Sequence, residues 1–119
     1  MQKFGLLYCE FPESLRGLLR GGVIHRKGHY LVCVDSTQTE PDQDFTLRHE
    51  LAHILLNHFE AEYPGDGQFI DSGFYVSESQ EAEANEYAEQ MTEAELSQLM
   101  EYAEFIKHMT AEELPQLMA

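Results

Sequence analysis

The sequence predicts a small α+β domain, with a short, mostly N-terminal β-sheet packed on one long helix and a helical C-terminal half. Three observations carry that prediction. Strand formers are concentrated before Asp35, in Phe4-Gly5-Leu6-Leu7-Tyr8-Cys9 and His29-Tyr30-Leu31-Val32-Cys33-Val34. Residues 42–59 place apolar side chains nearly all the way round a helical period, as in a helix enclosed by the rest of the fold. Beyond residue 77 the apolar positions fall at i, i+3, i+4 and i+7, interrupted by Thr-x-x-Glu helix starts. The 119 residues leave room for one such domain.

Taken in chain order, Phe4–Glu10 is a compact apolar run and the first strand. Leu15–His25 is broken by Gly17 and Gly21-Gly22, and Arg26-Lys27-Gly28 reads as a turn into the strand His29–Asp35, giving a sheet of two to four strands. Ser36–Asp42 is polar and contains Pro41, a loop. The long helix is expected from about Asp42 to Phe59, with Asp42 or Asp44 as its cap and favourable charge at its positive end. Leu47, Leu51, Ile54 and Leu55 fill one side of it, and Phe45, Ala52 and Leu56 much of the other. Glu60–Ser77 holds Pro64-Gly65-Asp66-Gly67 and Asp71-Ser72-Gly73 and reads as loop, with Gly73–Val76 a short extended piece. Ser77 or Ser79 opens a second helix to about Gln90, striped by Ala84, Tyr87, Ala88 and Met91. Residues 1–91 thus form the domain, and 92–119 an acidic helical tail expected to pack on it.

The tail repeats itself. Met91-Thr92-Glu93-Ala94-Glu95-Leu96 returns as Met109-Thr110-Ala111-Glu112-Glu113-Leu114, offset by 18, each copy opening with a capping box. The first copy predicts a helix to about Lys107 with Leu96, Leu99, Met100, Ala103 and Ile106 on one stripe, the second a final turn limited by Pro115.

Charge narrows the function. The net charge of −15 is concentrated: residues 60–119 hold 15 acidic side chains against Lys107 alone. Such a surface repels phosphate backbones and anionic lipid, which argues against nucleic-acid and membrane partners. No apolar run approaches the ~20 residues of a membrane span, and Met1–Glu10 lacks the pattern of a signal peptide, so a cytoplasmic protein is expected. Cys9 and Cys33 lie in apolar stretches, where a reduced, buried thiol is the usual state.

The chemistry resides in His49-Glu50-Leu51-Ala52-His53. Histidines at i and i+4 lie about 40° apart on a helix, so both imidazoles can reach one ion. Glu50 projects beside them, where it can take a proton from a metal-activated water. A buried helix has little reason to carry these polar groups unless something satisfies them. A catalytic zinc site needs a third protein ligand. His58 points away from His49 on a straight helix; Glu81 and Glu83 both flank the Ala84 stripe of the second helix, and periodicity does not choose between them.

Phe45-Thr46-Leu47-Arg48-His49-Glu50-Leu51-Ala52-His53-Ile54-Leu55-Leu56-Asn57-His58, followed by Glu81-Ala82-Glu83-Ala84-Asn85-Glu86-Tyr87-Ala88, resembles the ImmA/IrrE family of zincin-like metallopeptidases, over about residues 15–91. The resemblance implies that His49, His53 and Glu83 bind Zn2+, with Glu50 as general base. It also implies peptide-bond hydrolysis in a protein substrate, such as a cytoplasmic transcriptional repressor of a mobile element or stress response. Gly is frequent in the family where Ala52 stands, and the repeat-bearing tail has no counterpart in it. Peptide deformylases also join His-Glu-x-x-His to an upstream cysteine, and Cys9 lies 40 residues before His49, but their flanking glycine-rich strands are missing. The competing function is a non-catalytic scaffold acting through the tail, whose Leu96, Leu99, Met100, Ile106, Leu114, Leu117 and Met118 either cover the domain's own core or serve a second copy or a partner.

Overall fold

A computed structural model describes residues 1–14, 16–17, 19–26, 29–58, 68–70, 78–110 and 112–113. Its elements are β1 (Phe4–Cys9), β2 (Gly21–Arg26), β3 (His29–Asp35), α1 (Glu40–Leu55), β4 (Gln68–Ile70), α2 (Glu78–Gln90), α3 (Glu93–Met100) and β5 (Ala103–Met109). The fold is α+β: a five-stranded mixed sheet in the order β4-β2-β3-β1-β5 carries the helices. β1 runs parallel to both β3 and β5, while β2 is antiparallel to β3 and β4.

The alternation of side chains along a strand sorts the sheet into two faces. Phe4, Leu6, Val23, Val32 and Val34 face α1 and pack on Leu47, Leu51 and Ile54. Met91, Leu96 and Leu99 complete that core. Leu7, Cys9, Ile24 and Cys33 point the other way, where Phe11 covers them. Cys9 and Cys33 are therefore buried free thiols, as expected. A hydrogen bond shared with Cys9, together with burial, pushes the Cys33 thiol well above its usual range.

α1 begins two residues before Asp42 because Thr39, not Asp42 or Asp44, caps it: the Thr39 hydroxyl accepts from the Asp42 N–H at 3.4 Å. Pro41 sits in the first turn, where a missing N–H costs nothing. The helix stops at Leu55 rather than Phe59, which lies outside the described residues, and the stop is a Schellman turn. Asn57 takes the left-handed conformation at φ 57°, its N–H donates to Ile54 O at 3.1 Å, and the His58 N–H reaches back to His53 O at 3.1 Å. Arg48 fastens α1 to the α2–α3 junction. It is 8 % exposed, pairs with Asp44 at 2.7 Å, and donates to the Met91 carbonyl and the Glu93 carboxylate.

The close approach of α1 to β2 rests on Gly21. A Cβ there would lie 2.6 Å from Cys33 O, 2.6 Å from Thr46 Cγ2 and 3.5 Å from Glu50 Cγ. Gly21→Ala is expected to destabilise the fold by about 1–3 kcal/mol, because backbone on one side and a helix on the other must give way. A urea midpoint equal to that of the unsubstituted protein would show that the contact is relaxed at no cost.

The C-terminal half holds α2 and α3 as expected and differs at its end. Thr92 caps α3 as the repeat predicted, accepting from the Glu95 N–H at 3.1 Å, but the Glu95 carboxylate accepts from the Tyr87 hydroxyl at 3.0 Å. The helix expected to reach Lys107 ends at Met100, and Ala103–Met109 instead forms β5 against β1, with Ile106 beside Leu6. Tyr102, Phe105 and Ile106 are strand formers, and pairing satisfies one edge of β1, an advantage that a helical stripe does not report. In the second repeat the Thr110 hydroxyl donates to Glu113 Oε1 at 3.2 Å. The remainder of that copy from Leu114, together with Lys27-Gly28 of the predicted turn and the predicted Gly73–Val76 segment, lies outside the described residues.

Candidate metal centre

His49 and His53 lie one turn apart on α1, 6 % and 1 % exposed, and their side chains meet Glu81 from α2. The approach is close because α2 presents Ala84 and Ala88 among its buried positions. His49 Nε2 and His53 Nε2 are 3.1 Å apart, Glu81 Oε1 is 2.8 Å from His53 Nε2, and Glu81 Oε2 is 3.5 Å from His49 Nε2. Donors bound to one tetrahedral zinc at ~2.0–2.1 Å would be separated by about 3.3 Å, so the two imidazole nitrogens and the two oxygens of the Glu81 carboxylate lie at ligand-like spacings. Two imidazoles and one carboxylate are also a donor set suited to zinc, one short of its usual four ligands. Burial works to raise the Glu81 carboxyl, but hydrogen bonds from His49 and His53 and their charge outweigh it and hold Glu81 at about 2.

Glu83, the ligand implied by the resemblance, is not brought to this cluster. Two residues advance a helix by about 200°, so Glu83 leaves α2 on another side from Glu81. Its side chain is 59 % exposed, and its Oε1 lies 3.7 Å from His58 Nε2. Glu50 is 1 % exposed on α1, with Cγ against the space left by Gly21.

His58 closes the end of α1 and is buried there rather than facing solvent. A straight helix would carry it away from His49, but the Schellman turn folds it back. Its Nδ1 lies 2.8 Å from His53 Nδ1, and the ring is 6 % exposed. A His53 that ligates through Nε2 carries its proton on Nδ1 and donates it to His58. His58 then holds its own proton on Nε2, the side facing Glu83. Burial, then the neighbouring His53 ring, push the His58 pKa down, which favours the neutral form this chain of contacts needs. The available signal was Asn57, one of the few residue types that tolerate the left-handed conformation at a helix end. His58→Ala is expected to weaken metal binding by about 10–100-fold without removing a ligand. A competition titration against a chromophoric chelator measures this, and unchanged affinity would reduce His58 to packing.

Cys9 cannot serve as a deformylase-type ligand, since it lies on the sheet face away from α1.

A helix carrying two histidines, backed by a sheet and met by a glutamate from a second helix, defines an α+β domain built to gather three donors around one point. The family described as IrrE N-terminal-like domain (Peptidase_M78) matches residues 7–111, and the chain belongs to that peptidase family. No curated protein and no solved structure matches it. Among the described residues no helix is long and apolar enough to cross a membrane.

Proposed function

We propose that the chain is a zinc-dependent endopeptidase in which His49, His53 and Glu81 hold the ion and Glu50 is the general base. The observation that carries this reading is the grouping of His49 Nε2 and His53 Nε2, 3.1 Å apart, with the Glu81 carboxylate, whose Oε1 is 2.8 Å from His53 and whose Oε2 is 3.5 Å from His49. Zinc at that point supplies a Lewis acid that lowers the pKa of water and polarises a peptide carbonyl. Glu50 takes the proton of the attacking water and returns it to the leaving amide nitrogen, so that a carboxylate and an amine are released. His58 fixes the His53 ring, and Glu83 steadies His58 from the solvent side.

The domain of residues 1–91 and the segment 92–119 act together in this reading, since α3 and β5 join the same core and sheet. The resemblance to ImmA/IrrE proteins favours a cytoplasmic repressor as substrate over bulk proteolysis. The chain's net charge of −15 favours a substrate with a basic surface, such as a DNA-binding protein presents.

The reaction is tested by incubating zinc-loaded protein with a proteome-derived peptide library and reading new N-termini by mass spectrometry. New termini that vanish with a chelator and return with zinc are the expected result. The same termini in chelated and zinc-loaded samples would exclude the proposed chemistry.

A further inference from the structure

Three large apolar side chains are exposed among the described residues, Tyr102 at 40 %, Phe105 at 42 % and Ile106 at 51 %, and all three lie on β5 or immediately before it. β5 is an outer strand of the sheet. One of its edges pairs with β1, and no described residue pairs with the other. The Met109 carbonyl accepts from the Glu10 N–H at 3.1 Å and so points toward β1. Because successive peptide groups of a strand point in opposite directions, the N–H and C=O groups of Ile106 and His108 face outward. Past a register shift that leaves Glu104 without a partner on β1, the edge runs regularly from Phe105 to Met109, and with its exposed aromatic and aliphatic side chains it is a template for another strand.

We propose that this edge pairs with β5 of a second copy, antiparallel, about a twofold axis normal to the sheet at Ile106. Charge selects this occupant and this register. Residues 60–119 carry 15 acidic groups, yet β5 holds one acid, Glu104, and the only base of that half, Lys107. The strip is therefore locally neutral on an acidic surface. An axis normal to the sheet keeps facing side chains on the same face. Centred on Ile106, it sets Glu104 opposite His108 and Phe105 opposite Lys107 of the other copy. Lys107 already lies 5.6 Å from the Phe105 ring of its own chain, so the exchange between copies preserves a cation–π pairing. Centring the axis on Lys107 would oppose two lysines, and centring it on Phe105 would leave Glu104 facing Ile106. The Phe105 ring, seated over Gly5, and Ile106, beside Leu6, would extend the two apolar layers of the sheet across the junction.

Sedimentation across protein concentration and ionic strength tests the pairing. The expected result is a monomer–dimer equilibrium that strengthens with salt, because the chains repel at a net charge of −15 each. Ile106→Lys should weaken the dimer by about tenfold or more, while Ile106→Val keeps it. Circular dichroism on both variants separates lost pairing from lost fold. Glu104→Lys or His108→Glu alone should weaken association, and the double variant should restore it, which reports the register directly. A wild-type chain that stays monomeric at every concentration would overturn the proposal. So would slow amide exchange at Ile106 and His108 in the monomer, which would put another segment of the same chain on this edge.

Discussion

Glu50→Gln is expected to retain one zinc per chain while losing peptide hydrolysis by about 10²–10⁴-fold or more. The substitution keeps the size and burial of a side chain that is 1 % exposed on α1, and leaves His49, His53 and Glu81 in place. What it removes is the capacity to accept a proton. The amide nitrogen of glutamine is a donor, so water is no longer deprotonated as it attacks and the leaving amine is no longer protonated. The pairing of normal metal content with lost turnover separates a base from a ligand. Undiminished cleavage by Glu50→Gln would remove Glu50 from the mechanism, and loss of zinc in the same variant would make it part of the metal shell.

The second large effect belongs to Glu81. Glu81→Ala should lower zinc affinity by more than the roughly 10–100-fold typical of removing an outer-shell partner, whereas Glu83→Ala should stay within about tenfold. The two residues sit two positions apart on α2 and differ in what they reach. Glu81 is 2.8 Å from His53 and 3.5 Å from His49, while Glu83 lies 3.7 Å from His58. Parallel competition titrations of the two variants measure the difference. A stronger loss in Glu83→Ala would return the third ligand to the position implied by the family resemblance.

The sequence was most legible where local pattern and tertiary role coincide. α1 is apolar on nearly every side, so its burial and the pairing of His49 with His53 follow from periodicity alone. Of the stripe Ala84, Tyr87, Ala88 and Met91, the two alanines and Met91 are buried and Tyr87 is partly buried against the same core. Three features depend on what periodicity does not contain. The choice between Glu81 and Glu83 is set by the rotation of α2 as it docks on α1, and both glutamates flank the same stripe. The position of His58 is set by a single left-handed residue, Asn57, which reverses the chain at the end of α1. β5 arises from pairing with β1 across nearly the whole length of the chain, which the helical spacing of Ala103 and Ile106 does not report, although Tyr102, Phe105 and Ile106 are strand formers. The Thr92 box is read half correctly: its hydroxyl caps the Glu95 N–H three residues away, while the Glu95 carboxylate is taken by Tyr87 from the preceding helix.

Metal content tests the central claim most directly. The protein is purified without chelator and without a metal-affinity resin, and its metals are measured by inductively coupled plasma mass spectrometry. The account predicts close to one zinc per chain, removable by a chelator and regained on adding zinc. No metal as purified, and none taken up when zinc is supplied, would contradict it and leave the His49–His53–Glu81 cluster as the remnant of a site.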